Sequence, residues 1–157
     1  MALKGWTVPV NLRQVLDPRT IRLELAGIGK MAIIDELLDL LLKAGKLTDR
    51  VEALRAVMER EGKMSTAIQN GVAIPHAKTD AVTELVTAIG LSPKGVDFES
   101  LDGKPSHIFI MTLSPKTRLG PHIQFLSSIS QSLDDAAIRR ALLKAKTPQD
   151  VIDLLTA

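Results

Sequence analysis

A chain of 157 residues with 20 basic and 18 acidic side chains has the length of one domain, and a net charge of +2 without a dense basic tract argues against nucleic acid as a partner. The absence of cysteine excludes disulfides, thiolate nucleophiles, Cys-ligated zinc and iron–sulfur clusters. The longest apolar stretch, Met31 to Leu42, is broken by Asp35, Glu36 and Asp39, and the N-terminus lacks the basic-then-apolar order of a secretion signal. A cytoplasmic protein without stable membrane insertion is therefore expected.

Residues 1–18 mix apolar and polar character, and Pro9 and Pro18 interrupt any regular run. They are read as an N-terminal arm ahead of one domain over residues 19–157. Ile21 to Leu25 alternates apolar and charged side chains, the pattern of a short strand with one wet face. Ile34, Leu37, Leu38 and Leu41 recur at helical spacing, and Gly45 can end that helix. Asp49 with Glu52 three residues later resembles a capping box. It opens a second helix whose stripe is Val51, Leu54 and Met58 and whose end lies near Gly62.

The middle of the chain turns to strand character. Gly71 to Ile74 and Leu85 to Leu91 are short apolar segments. Val96 to Phe98 and Ile108 to Leu113 flank the turn dipeptide Asp102-Gly103, which predicts a hairpin. Helix returns after Gly120-Pro121, with Ile123, Leu126, Ile129 and Leu133 at helical spacing. Two further helices are predicted, one near Ala136 to Ala145 and one opened by Thr147-Pro148. Helices, then strands, then helices describe a single α/β domain, a central mixed β-sheet flanked by helices on both faces.

Three histidines are candidates for reversible chemistry near neutral pH, because a neutral imidazole is a nucleophile with two distinguishable nitrogens. His76 follows Gly71-Val72-Ala73-Ile74-Pro75. Pro75 is expected to drive the chain out of the sheet and project His76 at a strand end, where α/β sheets build their sites. His122 falls in the first turn of a helix, where free N–H groups and the macrodipole oppose protonation and favour anions. His107 opens a strand and reads as an edge residue. Arg60 could meet phosphate charge with its planar fork of donors, or simply sit well at a helix C-terminus. Ser65 and Thr66 could donate hydroxyls to an anion or cap a turn. Lys78, Lys116 and Arg118 are either site cations or solvated charge. Locally, loop and capping roles account for these residues equally well.

A metal site of His76, His122 and an Asp such as Asp80 matches no compact ligand spacing, so neither metal nor cofactor is expected. Walker-type loops, Gly-x-Gly-x-x-Gly and Gly-x-Ser-x-Gly are all absent, which leaves nucleotide-driven kinase and serine-hydrolase chemistry without support.

The run Met58-Glu59-Arg60-Glu61, then Ser65-Thr66, then Gly71-Val72-Ala73-Ile74-Pro75-His76-Ala77-Lys78 resembles the signature of enzyme IIA domains of the fructose–mannitol class of the bacterial phosphotransferase system. The nitrogen-regulatory branch looks especially similar, and Pro121-His122-Ile123-Gln124-Phe125-Leu126 resembles the family's second-histidine helix. The resemblance implies that His76 accepts phosphate from a histidine-containing phosphocarrier, HPr. It implies that His122 stabilises the transferring group and that Arg60 is a charge stabiliser, with Ser65 and Thr66 assigned to phosphate binding. The phosphate would pass to a cysteine of a separate IIB domain or serve as a mark read by a regulatory target. The chain would then be a phosphotransferase module rather than a stand-alone enzyme, with a homodimer left open. Some sugar-transporting members carry an acidic residue where this chain has Asn70, which favours the regulatory branch.

Overall fold

The computed structural model describes residues 11–157; the first ten residues of the segment read as an arm lie outside them. Asn11 caps a single helical turn, α1 (Leu12–Val15), by accepting from Arg13 N at 3.1 Å. Asp17 does the same for a 3-10 turn, Pro18–Thr20, through Arg19 N. Both caps supply an oxygen to an N–H that helix geometry leaves orphaned. Between them Leu16 is buried in the core.

Strand β1 (Ile21–Arg22) is shorter than the alternating pattern predicts. The chain bends at Leu23 and Glu24, and the Glu36 carboxylate then accepts from the backbone N–H groups of Ala26 and Gly27. Those donors are taken by a side chain instead of a strand neighbour. Helix α2 (Lys30–Lys43) buries Ile33, Ile34, Leu37, Leu38, Leu40 and Leu41. It closes at Gly45, whose φ of +73° is the left-handed conformation that a helix terminus of this kind demands.

Helix α3 (Arg50–Lys63) is capped as expected on one side only: Asp49 accepts from Glu52 N at 3.1 Å, while the Glu52 carboxylate turns to Arg55 and Thr79. The predicted stripe is corrected at Val51, which is 80% exposed. The buried face is Ala53, Ala56, Val57 and Glu61, with Leu54 and Met58 partly buried against the core. Two alanines let this helix approach its neighbours closely, so the small side chains, not the valine, mark the contact.

Strands β2 (Val72–Ala73), β3 (His76–Lys78), β4 (Val86–Val96) and β5 (Ser106–Ser114) complete a five-stranded mixed sheet in the order β1-β4-β5-β2, with β3 also on β5. β4 and β5 are antiparallel, and β1, β2 and β3 pair in parallel. Most of the predicted segment Leu85 to Leu91 and the first residue of the predicted Val96 to Phe98 fall in one strand, β4, whose register shifts between Leu91 and Val96, while Asp97 and Phe98 lie beyond its end. Asp102 holds the hairpin loop, accepting from Ser100 Oγ at 2.7 Å and Lys104 N at 2.9 Å.

The exit from the sheet expected at Pro75 does not occur. β2 and β3 run one after the other along the same edge of β5, and the Pro75 carbonyl accepts from Thr112 N at 2.9 Å. Proline lacks only its donor, and an edge strand can aim that missing N–H away from its neighbour. His76 therefore opens a strand and is fixed by the ladder.

The C-terminal helices are α4 (Leu119–Leu133), α5 (Ala136–Leu142) and α6 (Pro148–Leu155), the last opened by a full capping box of Thr147 and Asp150. One core packs α2 and α3 on one face of the sheet; the other packs α4, α5 and α6 on the opposite face. The architecture is a single α/β domain with a mixed sheet between two helical layers.

Candidate functional site: two imidazoles in a cation-lined cleft

Strand alternation decides which way His76 points. Ala77 belongs to the α2–α3 core, so His76 and Lys78 face the other side of the sheet, toward α4. His122 lies on the inner face of α4 with Phe125, Ile129 and Leu133. That stripe keeps the predicted Ile129 and Leu133 but shifts by one residue in the first turns: Ile123 is 54% exposed, and His122 and Phe125 take the buried positions. The result brings together two residues 46 positions apart (122 minus 76). Their ring centroids are 5.7 Å apart, with the planes tilted by 54°.

His76 Nδ1 donates to the Ile74 carbonyl at 2.8 Å. That bond places the proton of the neutral ring on Nδ1 and leaves the Nε2 lone pair free. Burial lowers the His76 pKa first; its bond to Ile74 and the Glu61 charge oppose this, and Arg60 and Lys78 reinforce it. His122 is pushed down to about 4, mainly by burial and then by the charges of His76 and Lys78. The depression expected at His122 is present, but its source is burial and cationic neighbours. Its backbone N–H is not free, because it donates to the Arg118 carbonyl at 3.4 Å.

The two rings line an open cleft of about 540 Å³ between α3 and α4, together with Arg55, Arg60, Lys63, Lys78 and Lys116, and with Leu119 and Ile123 on the α4 side. Arg55 is met by Glu52 and Glu59 at 2.8 and 2.9 Å. Arg60 donates to the Met64 carbonyl at 2.8 Å, which pins one arm of its guanidinium. Arg118 does not line the cleft; its carbonyl receives the Ser114 hydroxyl and begins α4.

Ser65 and Thr66 are not among the residues lining this cleft. Both are buried, and their hydroxyls are engaged: Ser65 donates to the Phe98 carbonyl at 3.1 Å, and Thr66 donates to the Glu61 carboxylate. The two residues fix the segment between α3 and β2, so their contribution to the site runs through backbone placement. His107 Nδ1 donates to the Ser92 carbonyl, 3.0 Å away, and the ring packs beside Gly71 and Gly95, far along β5 from His76. Asp80 receives Lys116 N at 3.4 Å and tethers the turn before α4.

Sequence reasoning missed the depth of Glu61. This carboxylate is 4% exposed and receives Thr66 N, the Thr66 hydroxyl and, at 3.0 Å, Lys30 Nζ. Lys30 also lies over the Phe98 ring, 5.1 Å from its centre. The signal was available: Glu61 falls four residues after Val57 on the face that Ala53 and Val57 bury, and Thr66 follows it closely.

Two imidazoles facing each other across a cleft lined by arginine and lysine, on a mixed α/β domain, are arranged to hold an anionic group between them. Residues 14–157 match the family of the phosphoenolpyruvate-dependent sugar phosphotransferase system, EIIA 2, and the chain is a member of that family. It is 42% identical over 135 residues to the fructose-specific EIIA component of Haloferax volcanii, covering 86% of this chain and 88% of that protein. It is 39% identical to the fructose-specific EIIABC component of Bacillus subtilis, covering 93% of this chain but only 23% of that longer protein. The nitrogen regulatory protein of Pseudomonas aeruginosa is 26% identical, covering 93% of this chain and 95% of that one. Among solved structures, nitrogen regulatory protein IIA-Ntr from Neisseria meningitidis superposes with a TM-score of 0.84 at 26% identity, covering 91% and 97% of the two chains. IIA mannitol from Escherichia coli shares the fold, with a TM-score of 0.74 at 23% identity over 89% of this chain and 98% of that one. No helix among the described residues is long and apolar enough to cross a membrane.

Proposed function

We propose that His76 is the phosphoryl-carrying residue of a cytoplasmic phosphotransferase IIA module, charged by an HPr-like phosphocarrier and discharged to a separate IIB domain. The observation that carries this reading is the Nδ1–H···O=C bond from His76 to Ile74 at 2.8 Å, which leaves Nε2 as a free nucleophile beside His122. In the transfer, Nε2 attacks the donor's phosphorus in line. A new N–P bond forms, the donor's N–P bond breaks, and its electron pair stays on the donor nitrogen. The His76 ring gains positive character as it does so, and the Ile74 carbonyl stabilises that charge through the Nδ1–H it already receives. His122 and Arg60 stabilise the phosphoryl oxygens, while Lys78 and Lys116 add positive field along the cleft. Ser65 and Thr66 support the site by holding the chain between α3 and β2 in place.

Support for the IIB partner comes from a relative of the same fold: mannitol IIA from Escherichia coli has been solved in complex with phosphorylated IIB, and it shares a TM-score of 0.75 with this chain at 23% identity. A regulatory use of the same phosphate is favoured by the IIA-Ntr superposition and by Asn70. A phosphoryl group adds about −1.5 to −2 charges at neutral pH, enough to change which surface docks at the cleft. Incubation with HPr, its kinase enzyme I and phosphoenolpyruvate should add one phosphate, and His76→Ala should abolish it. Label retained in His76→Ala would move the acceptor elsewhere. His122→Ala should still take phosphate, but slowly, or fail to pass it on; unchanged rates in both directions would remove His122 from the mechanism.

A further inference from the structure

Three buried side-chain atoms among the described residues have no hydrogen-bond partner: Ser106 Oγ, Thr112 Oγ1 and His122 Nδ1. Ser106 lies at the start of β5, away from the cleft, but the other two both neighbour His76, Thr112 across the ladder and His122 ring to ring. Ile108 and Ile110 face the α4–α6 core, whereas Phe109, Met111 and Leu113 face the α2–α3 core. Alternation therefore aims Thr112 at α4, and the register sets it directly beside His76. β5 ends at Ser114 and α4 begins at Leu119, so the first turn of α4, which carries His122, returns over the same end of the sheet. Neighbouring hydroxyls on that face are engaged. Thr87 donates to the Met111 carbonyl at 2.8 Å, and Ser114 donates to the Arg118 carbonyl at 3.2 Å. Thr112 alone keeps an unused donor there, and it is fully buried.

We propose that Thr112 is a positioning residue whose hydroxyl donates to a single bridging water that in turn donates to Nδ1 of His122, and so holds the His122 N–H on Nε2. Buried polar atoms rarely stay unpaired, and one water held between these two satisfies both. A neutral imidazole has a single N–H, and the partner of one nitrogen decides which nitrogen carries it. With Nδ1 as acceptor, Nε2–H is available to a phosphoryl oxygen; the opposite tautomer would present a lone pair to an anion. The two rings would then be set in complementary ways: His76 protonated on Nδ1 by the Ile74 carbonyl, His122 on Nε2 by the Thr112 hydroxyl.

This inference rests on the phosphotransfer reading, and its test separates the two. Nitrogen-15 spectra of the imidazoles at neutral pH report the His122 tautomer whether or not the chain takes phosphate. The wild type should show Nε2–H. The shape-matched Thr112→Val should lose that preference, and Thr112→Ser should restore it. Transfer from phosphorylated HPr should fall about tenfold in Thr112→Val and recover in Thr112→Ser, the size expected for the loss of one hydrogen bond. An Nδ1–H tautomer in the wild type overturns the inference by itself, even if the valine variant fails to fold. An altered tautomer without a slower transfer, or a slower transfer without an altered tautomer, overturns it as well. Failure of wild-type protein to accept any phosphate sinks the phosphotransfer reading instead, and the spectrum still judges Thr112.

Discussion

His122 is a buried base held neutral, and this has a cost that pH can expose. Its pKa lies near 4 in the folded chain because burial disfavours the imidazolium, with the charges of His76 and Lys78 adding to the effect. In the unfolded chain the same ring titrates near about 6.5. Between those values the unfolded state binds a proton that the native state refuses, so stability falls as pH drops through the unfolded value. His76 is shifted in the same direction. The His122 share reaches an upper limit of about 2 kcal/mol by about pH 5. The carboxylates Asp17 and Glu52, held down to about 2 by Arg19 and Arg55 respectively, contribute to acid sensitivity only at lower pH. Urea midpoints measured from about pH 7.5 to about pH 5 should therefore decline in the wild type and decline less in His122→Asn. A flat wild-type profile over that range would show that the ring is not held neutral. The motif singles out both histidines, whose rings the structure brings to 5.7 Å, but the proton placement on His76 was not legible. It depends on the Ile74 carbonyl, two residues earlier, curling back to meet the ring.

At the scale of elements, the site depends on a clamp that joins three segments. Glu61 near the end of α3, Lys30 at the start of α2 and Thr66 in the run toward β2 meet at one buried carboxylate. Arg60 is the residue before Glu61, so the clamp also sets where the cleft receives its guanidinium. Removing one partner from a buried, hydrogen-bonded ion pair leaves the other charge uncompensated, which typically costs about 3–5 kcal/mol. Glu61→Gln should lower stability by about that order, less what the Glu99 carboxylate at 3.5 Å returns to Lys30. Adding Lys30→Met should recover part of the loss, since the stranded cation is gone. Denaturant midpoints of the two single variants and the double variant check this, and additive losses would dissolve the clamp. The elements themselves were largely readable, because α2 follows its apolar spacing and closes at Gly45, and α6 opens at the Thr147-Pro148 signal. What periodicity could not convey was tertiary. Val51 satisfies a helical stripe yet points to solvent, because the alanines of α3 make the contact. Pro75 carries a strand-breaking signal, yet an edge position neutralises it.

For the whole molecule, the decisive property is that a carrier works only through surfaces that meet. The cleft opens beside Leu119 and Ile123, which are 47% and 54% exposed at the N-terminal end of α4, and it is ringed by Lys63, Lys78 and Lys116. An apolar centre bordered by cations is suited to a partner that brings an apolar patch with acidic flanks and a phosphorylated side chain, excluding water while the phosphoryl group crosses. Ile123 extends outward from α4 whereas Phe125 and Ile129 pack inward, so a substitution at Ile123 acts on docking and spares the core. Ile123→Glu places an acid at the centre of the contact without touching either imidazole bond. Phosphate acceptance from HPr should then show a KM raised about tenfold or more, corresponding to about 1.4 kcal/mol of lost association. Its unfolding free energy should stay within about 0.5 kcal/mol of the wild type. The cationic ring adds a second signature: raising salt should slow the wild-type reaction under dilute conditions, because steering between opposite charges is screened beyond about 8–10 Å at physiological strength. An unchanged KM in Ile123→Glu, together with a salt-independent rate, would place the partner's contact away from the α4 side of the cleft.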